Sequence, residues 1–251
     1  MHTNAKPYEK TIAILLAVLF WQIAAMLLNS RLLLASPVSV CSRLCTLLGE
    51  PSFYSSVLFS FGRIVTGFLL ALITGAFLAI LANRFHWAEV LLFPYISIIK
   101  TTPVASFIIL CLIWLDTEHL PIFISFLMVL PVLYTNLLQG IRQTDRNLLE
   151  MAQVFCLPPL RKFLYIYLPE LKPYLLSACS VSLGLCWKAG IAAEVIGIPA
   201  GSIGERLYEA KLYLSSADLF AWTVVIIAIS ILFEKAFLWL LKTVYHVLES
   251  R

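Results

Sequence analysis

Long apolar runs separated by short polar breaks dominate the chain, and the runs set the terms that any fold must meet. The first, residues 11–28, is about 18 residues long, enough to cross a hydrocarbon layer of roughly 30 Å as a helix. Further runs occupy residues 57–82, 90–115, 120–138, 171–195 and 219–241. The pattern predicts an all-α, polytopic membrane protein with about six transmembrane helices in a single domain spanning residues 1–251. The opening MHTNAKPYEK has the look of a signal-peptide start, but no small-x-small cleavage site follows, so the first run reads as a retained helix. Residues 29–56 are mixed, polar enough for a loop and periodic enough for a short surface helix.

Three of the runs carry features that plain lipid-spanning helices lack. The second places Gly67, Ala71, Gly75 and Ala79 at four-residue spacing. Small side chains on one face let another helix approach closely, so this stripe is expected to meet protein rather than lipid. The third contains Pro94, Lys100, Thr101, Thr102 and Pro103. A lysine near mid-membrane costs roughly 2.5–3.5 kcal/mol on insertion scales, so Lys100 either faces a bundle interior or wet cavity, or snorkels. Pro103 should break the helix ladder there, a defect tolerated where protein or water satisfies the freed carbonyl. The fifth holds Trp187, Lys188 and Glu194 towards its far end.

Between the fourth and fifth runs lies a polar insert, about residues 142–169, with a hydrophobic face of its own. If Thr144 or Asp145 caps a short helix, Leu148, Ala152 and Phe155 fall on one side with Leu149 and Cys156 beside them, while Arg146 and Gln153 lie off that face. Pro158 and Pro159 are expected to end this helix, and a second segment with Phe163, Tyr165 and Ile166 follows. Such an amphipathic pair either lies on the bilayer surface or buries against a partner.

Composition supports the same class. Of 251 residues 61% are hydrophobic and 13% charged, with a mean hydropathy of +0.93, which excludes a soluble domain. The net charge of +4 matters through its distribution, and no contiguous basic patch suggests nucleic acid. Lys6, Lys10, Arg84, Arg142, Arg146, Arg161, Lys162, Lys242 and Arg251 fall on one side of a six-span topology, and Arg31, Arg43, Arg206 and Lys211 on the other. The positive-inside rule then makes both termini and the insert cytoplasmic.

Of the six cysteines, Cys111, Cys179 and Cys186 lie in apolar runs as small hydrophobes, and the spacing of Cys41 and Cys45 leaves a disulfide open. No metal site is expected. His2, His86, His119 and His246 sit in breaks or tails, Asp116 and Glu118 read as a solvated turn, and no nucleophile pairs with a base. There is no G-x-x-x-x-G-K-[ST] phosphate loop, so energy comes from a partner or the chain moves solute passively, as a channel or secondary transporter would.

Glu150, Ala152, Cys156, Ile166, Leu168 and Pro169 fit E-A-A-(three residues)-G-(nine residues)-I-x-L-P, with Met151 and Cys156 as departures. This stretch resembles the cytoplasmic loop of permease subunits in binding-protein-dependent ABC importers. The segments SFGRIVTGF at residues 60–68 and Ala192, Glu194 and Gly197 resemble that family's S-x-x-R-x-x-x-G-F and A-x-E-x-x-G, and residues 34–40 its L-P-S-P-x-x-V entry. The branch resembled is that of nitrate, sulfonate and taurine permeases.

The resemblance implies a type I importer permease fold in the plasma membrane of a prokaryote. It further implies a homodimer of this chain, two ATPase subunits and an extracytoplasmic solute-binding protein. The chain would be a transport subunit rather than an enzyme and hold no cofactor, ATP and Mg belonging to the ATPase. Leu148, Leu149, Glu150, Ala152, Phe155, Cys156, Ile166, Leu168 and Pro169 would form the ATPase-coupling element. A cysteine forced to positive φ where the family has glycine would cost roughly 1 kcal/mol, so Pro158 and Pro159 are expected to make the turn instead. Arg63, Lys100, Trp187, Lys188 and Glu194 are candidates for the solute path. They would favour an anion, unless Arg63 is a packing residue and the lysines snorkel or pair.

Overall fold

The computed structural model describes residues 7–28 and 34–249, and among these every regular element is helical. Lys6, Arg31 and Arg251 of the charge pattern, and His2, lie outside the described residues. In chain order the helices are α1 (Pro7–Leu28), α2 (Pro37–Leu47), α3 (Pro51–Arg84), α4 (His86–Thr101), α5 (Val104–Cys111) and α6 (Leu120–Arg142). They continue with α7 (Arg146–Val154), α8 (Pro159–Lys162), a π-helical turn (Phe163–Tyr167), α9 (Leu168–Gly197), α10 (Ile203–Leu212) and α11 (Ser216–Glu249).

Four segments are long and apolar enough to cross a membrane, namely α3, α6, the helical stretch Pro159–Gly197 that contains α9, and α11. The third apolar run of the sequence differs from a plain span. It forms α4 and α5, bent by 105° about Thr102 and Pro103. The cause is local. Pro103 offers no backbone N–H, and Thr102 before it sits in the extended region at ψ 132. The hydroxyls of Thr101 and Thr102 donate back to Ser97 O and Ile98 O at 3.0 and 2.8 Å, competing for the carbonyls of the last α4 turn. Counted as one span, the bent pair gives a fifth candidate crossing against the six that the sequence predicts, and α1, with a shorter apolar stretch at Thr11–Leu27, is the remaining apolar helix.

The bundle is built on α3, α6 and α9. Gly67, Ala71, Gly75 and Ala79 are all buried on α3. A Cβ at Gly67 would stand 2.5 Å from Ile122 O and 2.8 Å from Ser125 Cβ, so the α3 and α6 backbones meet there at a distance only glycine permits. Gly190 does the same for α9, where a Cβ would lie 2.6 Å from both an Ile64 side-chain carbon and Ser125 Oγ. Around these close approaches Ile64, Phe68, Leu133, Leu183 and Trp187 close the core. Phe233 and Phe237 of α11 pack edge-on against Phe61 and Phe68 and hold that helix to the bundle. Much of the rest of α11, and most of α1, is exposed and apolar, as a lipid- or subunit-facing surface is.

The connections alternate between two ends. One carries α7 and α8, and there Arg142 at the end of α6 holds Glu89 at the start of α4 through two bonds of 2.7 and 2.6 Å. The opposite end carries α2 and α10. Arg43 of α2 pairs with Asp218 of α11, and with Glu50 at 3.3 Å. The hydrogen bond to Asp218 raises the Arg43 guanidinium above its ordinary pKa despite partial burial.

Candidate functional site

Three groups of side chains stand out, one at each end of the bundle and one between. At the first end, Asp145 caps α7 by accepting a hydrogen bond from Asn147 N at 2.9 Å, and Thr144 is buried just before it. Ala152 and Ile166 are buried, and Leu148, Leu149, Leu168 and Pro169 are half-buried. They form the covered side of the insert. On the outer side Met151, Val154, Phe155 and Leu160 are exposed beside exposed Glu150, with Val154 79% and Phe155 70% accessible. The expected stripe is therefore divided, since Leu148 and Ala152 turn inward while Phe155 faces out.

The stop of α7 corrects the expectation from sequence. Pro158 and Pro159 do not end the helix, which finishes at Val154, four residues before Pro158. Leu157 N bonds to Ala152 O at 2.9 Å and Cys156 N to Gln153 O at 3.0 Å, with Cys156 left-handed at φ 48. This is a Schellman termination, and it keeps the backbone conformation for which the related motif uses glycine, with a cysteine in its place. The prolines come one turn late because the C-terminal carbonyls are already satisfied. Cys156→Gly is accordingly expected to stabilise the protein by roughly 1 kcal/mol, seen as a raised melting temperature of the solubilised chain. An unchanged or lowered melting temperature would show that the turn carries no strain.

Between the ends lies a cavity of about 410 Å³ against the α4–α5 break. Lys100 and Thr102 contribute from the break, Met128, Pro131 and Val132 from α6, and Leu185, Lys188 and Ala192 from α9. Two lysines 88 positions apart in sequence thus line one space. Neither has an ion-pair partner among the described residues.

The other three candidates for the solute path lie elsewhere. Trp187 is turned into the core, 2% accessible, and packs near Phe61. Arg63 stacks over the Phe59 ring at 3.5 Å and pairs with Glu118 at 3.5 Å. Glu194 is fully buried and works as a clamp. Its Oε2 accepts from Ser60 Oγ at 2.7 Å and from Gly204 N at 3.1 Å, while Ser60 Oγ accepts from Ile203 N at 2.9 Å. The serine of the S-x-x-R motif and the glutamate of the A-x-E-x-x-G motif therefore meet directly. Together they hold the first turn of α10, whose cap, Ser202, accepts from Glu205 N at 3.0 Å. Next to the clamp, Ile198 is β-branched yet held left-handed at φ 49, followed by Pro199.

Sequence reading places Ser202 in a turn-rich loop without its capping role, and passes over Glu234, whose carboxylate accepts from Ser180 Oγ at 2.6 Å within the last span. An acidic residue inside an apolar run was the available signal for the second. Cys41 and Cys45, left open as a pair, are both free and exposed. No cluster of metal-ligating side chains occurs among the described residues.

A polytopic helical bundle with a broken span, a capped amphipathic helix at one end and a helix clamped across the other defines a membrane transport subunit. Residues 64–245 match the model of the family described as binding-protein-dependent transport system inner membrane component, and the chain belongs to that family. It is 29% identical over 202 residues to an Escherichia coli K12 permease named for aliphatic sulfonates transport, covering 79% of this chain and 76% of that protein. It is 26% identical over 230 residues to the Escherichia coli K12 taurine transport system permease protein, covering 89% of this chain and 83% of that protein. In fold it matches the crystal structure of an amino acid ABC transporter with histidines, at a TM-score of 0.58 and 18% identity over 81% of this chain and 97% of that one. The chain is thus an ABC importer permease with the type I fold, a multi-pass inner-membrane transport subunit rather than an enzyme.

Proposed function

We propose that this chain forms the solute pathway of an ATP-driven importer for a small anionic solute, with α7 as the element that engages a cytoplasmic ATPase. The observation that carries the reading is the construction of α7, capped at one end, closed by a Schellman turn at the other, and with Ala152 buried on its covered side. It nevertheless leaves Met151, Val154 and Phe155 bare beside Glu150. Apolar side chains on a stiff, water-facing helix are what a partner's groove would bury. On this reading both termini and α7 are cytoplasmic, ATP and Mg are held by the ATPase, and α2 and α10 face a solute-binding protein. A second copy of the chain completes the pathway. The anionic solute is supported by the unpaired Lys100 and Lys188 and by the sulfonate and taurine permeases among the relatives.

The test is affinity capture of the gently solubilised chain from its native membrane, with mass spectrometry of the bound proteins. A Walker-type ATPase is expected with the unaltered chain and is expected to disappear when Met151, Val154 and Phe155 are all changed to serine. If no ATPase is captured, the proposed coupling fails; if the triple variant retains it, the ATPase docks elsewhere and α7 is a helix lying on the membrane surface.

A further inference from the structure

We propose that the groove between the π-helical turn and the last turns of α11 binds an anionic phospholipid of the surrounding leaflet, its phosphate held by basic side chains of α11 and α8 and one acyl chain laid against α11. The site needs only a bilayer around the bundle, whatever solute the chain carries.

Periodicity marks the first wall. Lys235, Trp239, Lys242 and His246 of α11 are all exposed. At 100° per residue they fall within about 60° of arc, so they form one stripe, roughly 17 Å long, on a helix that is otherwise apolar and largely exposed. In hydrocarbon a lysine is held only at a cost, which it escapes by running its stem along the helix and setting its ammonium among lipid phosphates. Tryptophan favours the same level, where its ring is in the apolar layer and its N–H in the polar one. The stripe therefore sets the depth at which headgroups meet α11.

The second wall is the π-helical turn, in which Leu168 N reaches back to Phe163 O. Buried Tyr245 and exposed Leu248 of α11 close with Leu164, Tyr165, Leu168 and Pro169 around an apolar cleft of about 130 Å³. Lys172 lies over the Tyr245 ring at 5.7 Å, and Lys162 of α8 lies 5.9 Å from the Tyr167 ring. Beside exposed Arg161, the side chains of Leu160, Phe163 and Tyr165 are also exposed, the composition of a segment lying in the interface plane.

Charge and size choose the occupant. Residues 159–173 and 234–248 hold five Lys and Arg against two carboxylates. Of these two, Glu234 is bonded to Ser180 Oγ, and Glu170 is half-buried in the first turn of α9. Among the described residues no ion pair neutralises Arg161, Lys162, Lys235 or Lys242. Their exposure suits a lipid, whose phosphate arrives from the side and accepts from ammonium and guanidinium groups together. The cleft is well below the roughly 300–1,000 Å³ that encloses a whole soluble ligand, but a stretch of acyl chain fills it while the rest of the lipid stays in the bilayer. Phosphatidylcholine carries the same phosphate, yet its trimethylammonium would enter a cationic rim, so the net negative headgroup is preferred.

The experiment is native mass spectrometry of the full chain released from nanodiscs of equal parts phosphatidylcholine and phosphatidylglycerol. Phosphatidylglycerol is expected to stay bound at least about fivefold over phosphatidylcholine, the gain of one cation near an anionic surface. Lys235→Gln with Lys242→Gln, and separately Arg161→Gln with Lys162→Gln, are each expected to bring the ratio close to parity. Lys235→Arg with Lys242→Arg is expected to keep it, and so is Lys211→Gln, an exposed lysine of α10 at the opposite end. Equal retention of the two lipids by the unaltered chain would overturn the proposal, and that measurement needs no variant to fold. An unchanged ratio in either glutamine pair, or an equal fall in Lys211→Gln, would overturn it as well. So would full displacement of the lipid by soluble glycerol 1-phosphate, which would make the site one for a free anion. Loss of the lipid from the chain captured with an ATPase would give the surface to that subunit instead.

Discussion

Glu150→Arg is expected to abolish ATP-driven uptake while the protein still inserts and reaches normal abundance. Glu150 is exposed on α7 among bare apolar side chains, so the substitution disturbs nothing in the bundle and acts only on a partner. Charge reversal within the proposed docking surface would carry the cost of a binding hot spot, so ATPase association should weaken by at least about 30-fold. Uptake by whole cells and ATPase co-purification should fall together. Normal uptake at normal abundance would remove Glu150 from the coupling surface, whatever else α7 does.

Gly204→Ala is expected to have the largest effect on the fold itself. A Cβ at Gly204 would stand 2.3 Å from Glu194 Cβ and 2.4 Å from the Glu194 carbonyl carbon, where no side-chain relaxation can make room. α10 must then lift from α9. That movement breaks the bond from Gly204 N to Glu194 Oε2 and, through it, the bond from Ile203 N to Ser60 Oγ. Overpacking and the loss of bonds to a buried carboxylate together should destabilise the protein by about 3 kcal/mol or more. Thermal unfolding of the solubilised chain measures it. Glu194→Gln keeps an acceptor oxygen and the volume, and should cost clearly less. If Gly204→Ala melts like the unaltered chain, the clamp does not hold α10. ATPase capture should survive in either variant, because α7 lies at the opposite end of the bundle.

The sequence made some of this architecture readable and concealed the rest for physical reasons. Apolar runs and the Gly67 to Ala79 stripe are local patterns, and local patterns are visible in one dimension. Pro103 announced the break between α4 and α5, but not that the chain would turn through 105° there, because the angle depends on what α5 packs against. Ser60 and Glu194 were each visible as members of a motif, yet they are 134 positions apart, and only the close approach of α3 and α9 shows that they bond. The α7 stop was misplaced because proline is a strong one-dimensional signal while a left-handed cysteine is not. Trp187 beside Lys188 read as one feature, but neighbours on a helix point about 100° apart, one here into the core and the other into the cavity.

Beyond Pro173 no proline interrupts α9, and residues 174–197 extend for about 36 Å at 1.5 Å per residue. Its lower part follows the π-helical turn out of the insert, Lys188 lies along it, and Glu194 closes its far end. A tilt of only about 5° about the lower end would carry the far end sideways by roughly 3 Å, as much as a hydrogen-bond length. If α7 docks an ATPase and Lys188 meets solute, as proposed, then docking, solute contact and the hold on α10 share a single angular coordinate. Motion at the α7 end of the bundle need not be relayed from residue to residue to reach the α10 end, because the same rod is present at both.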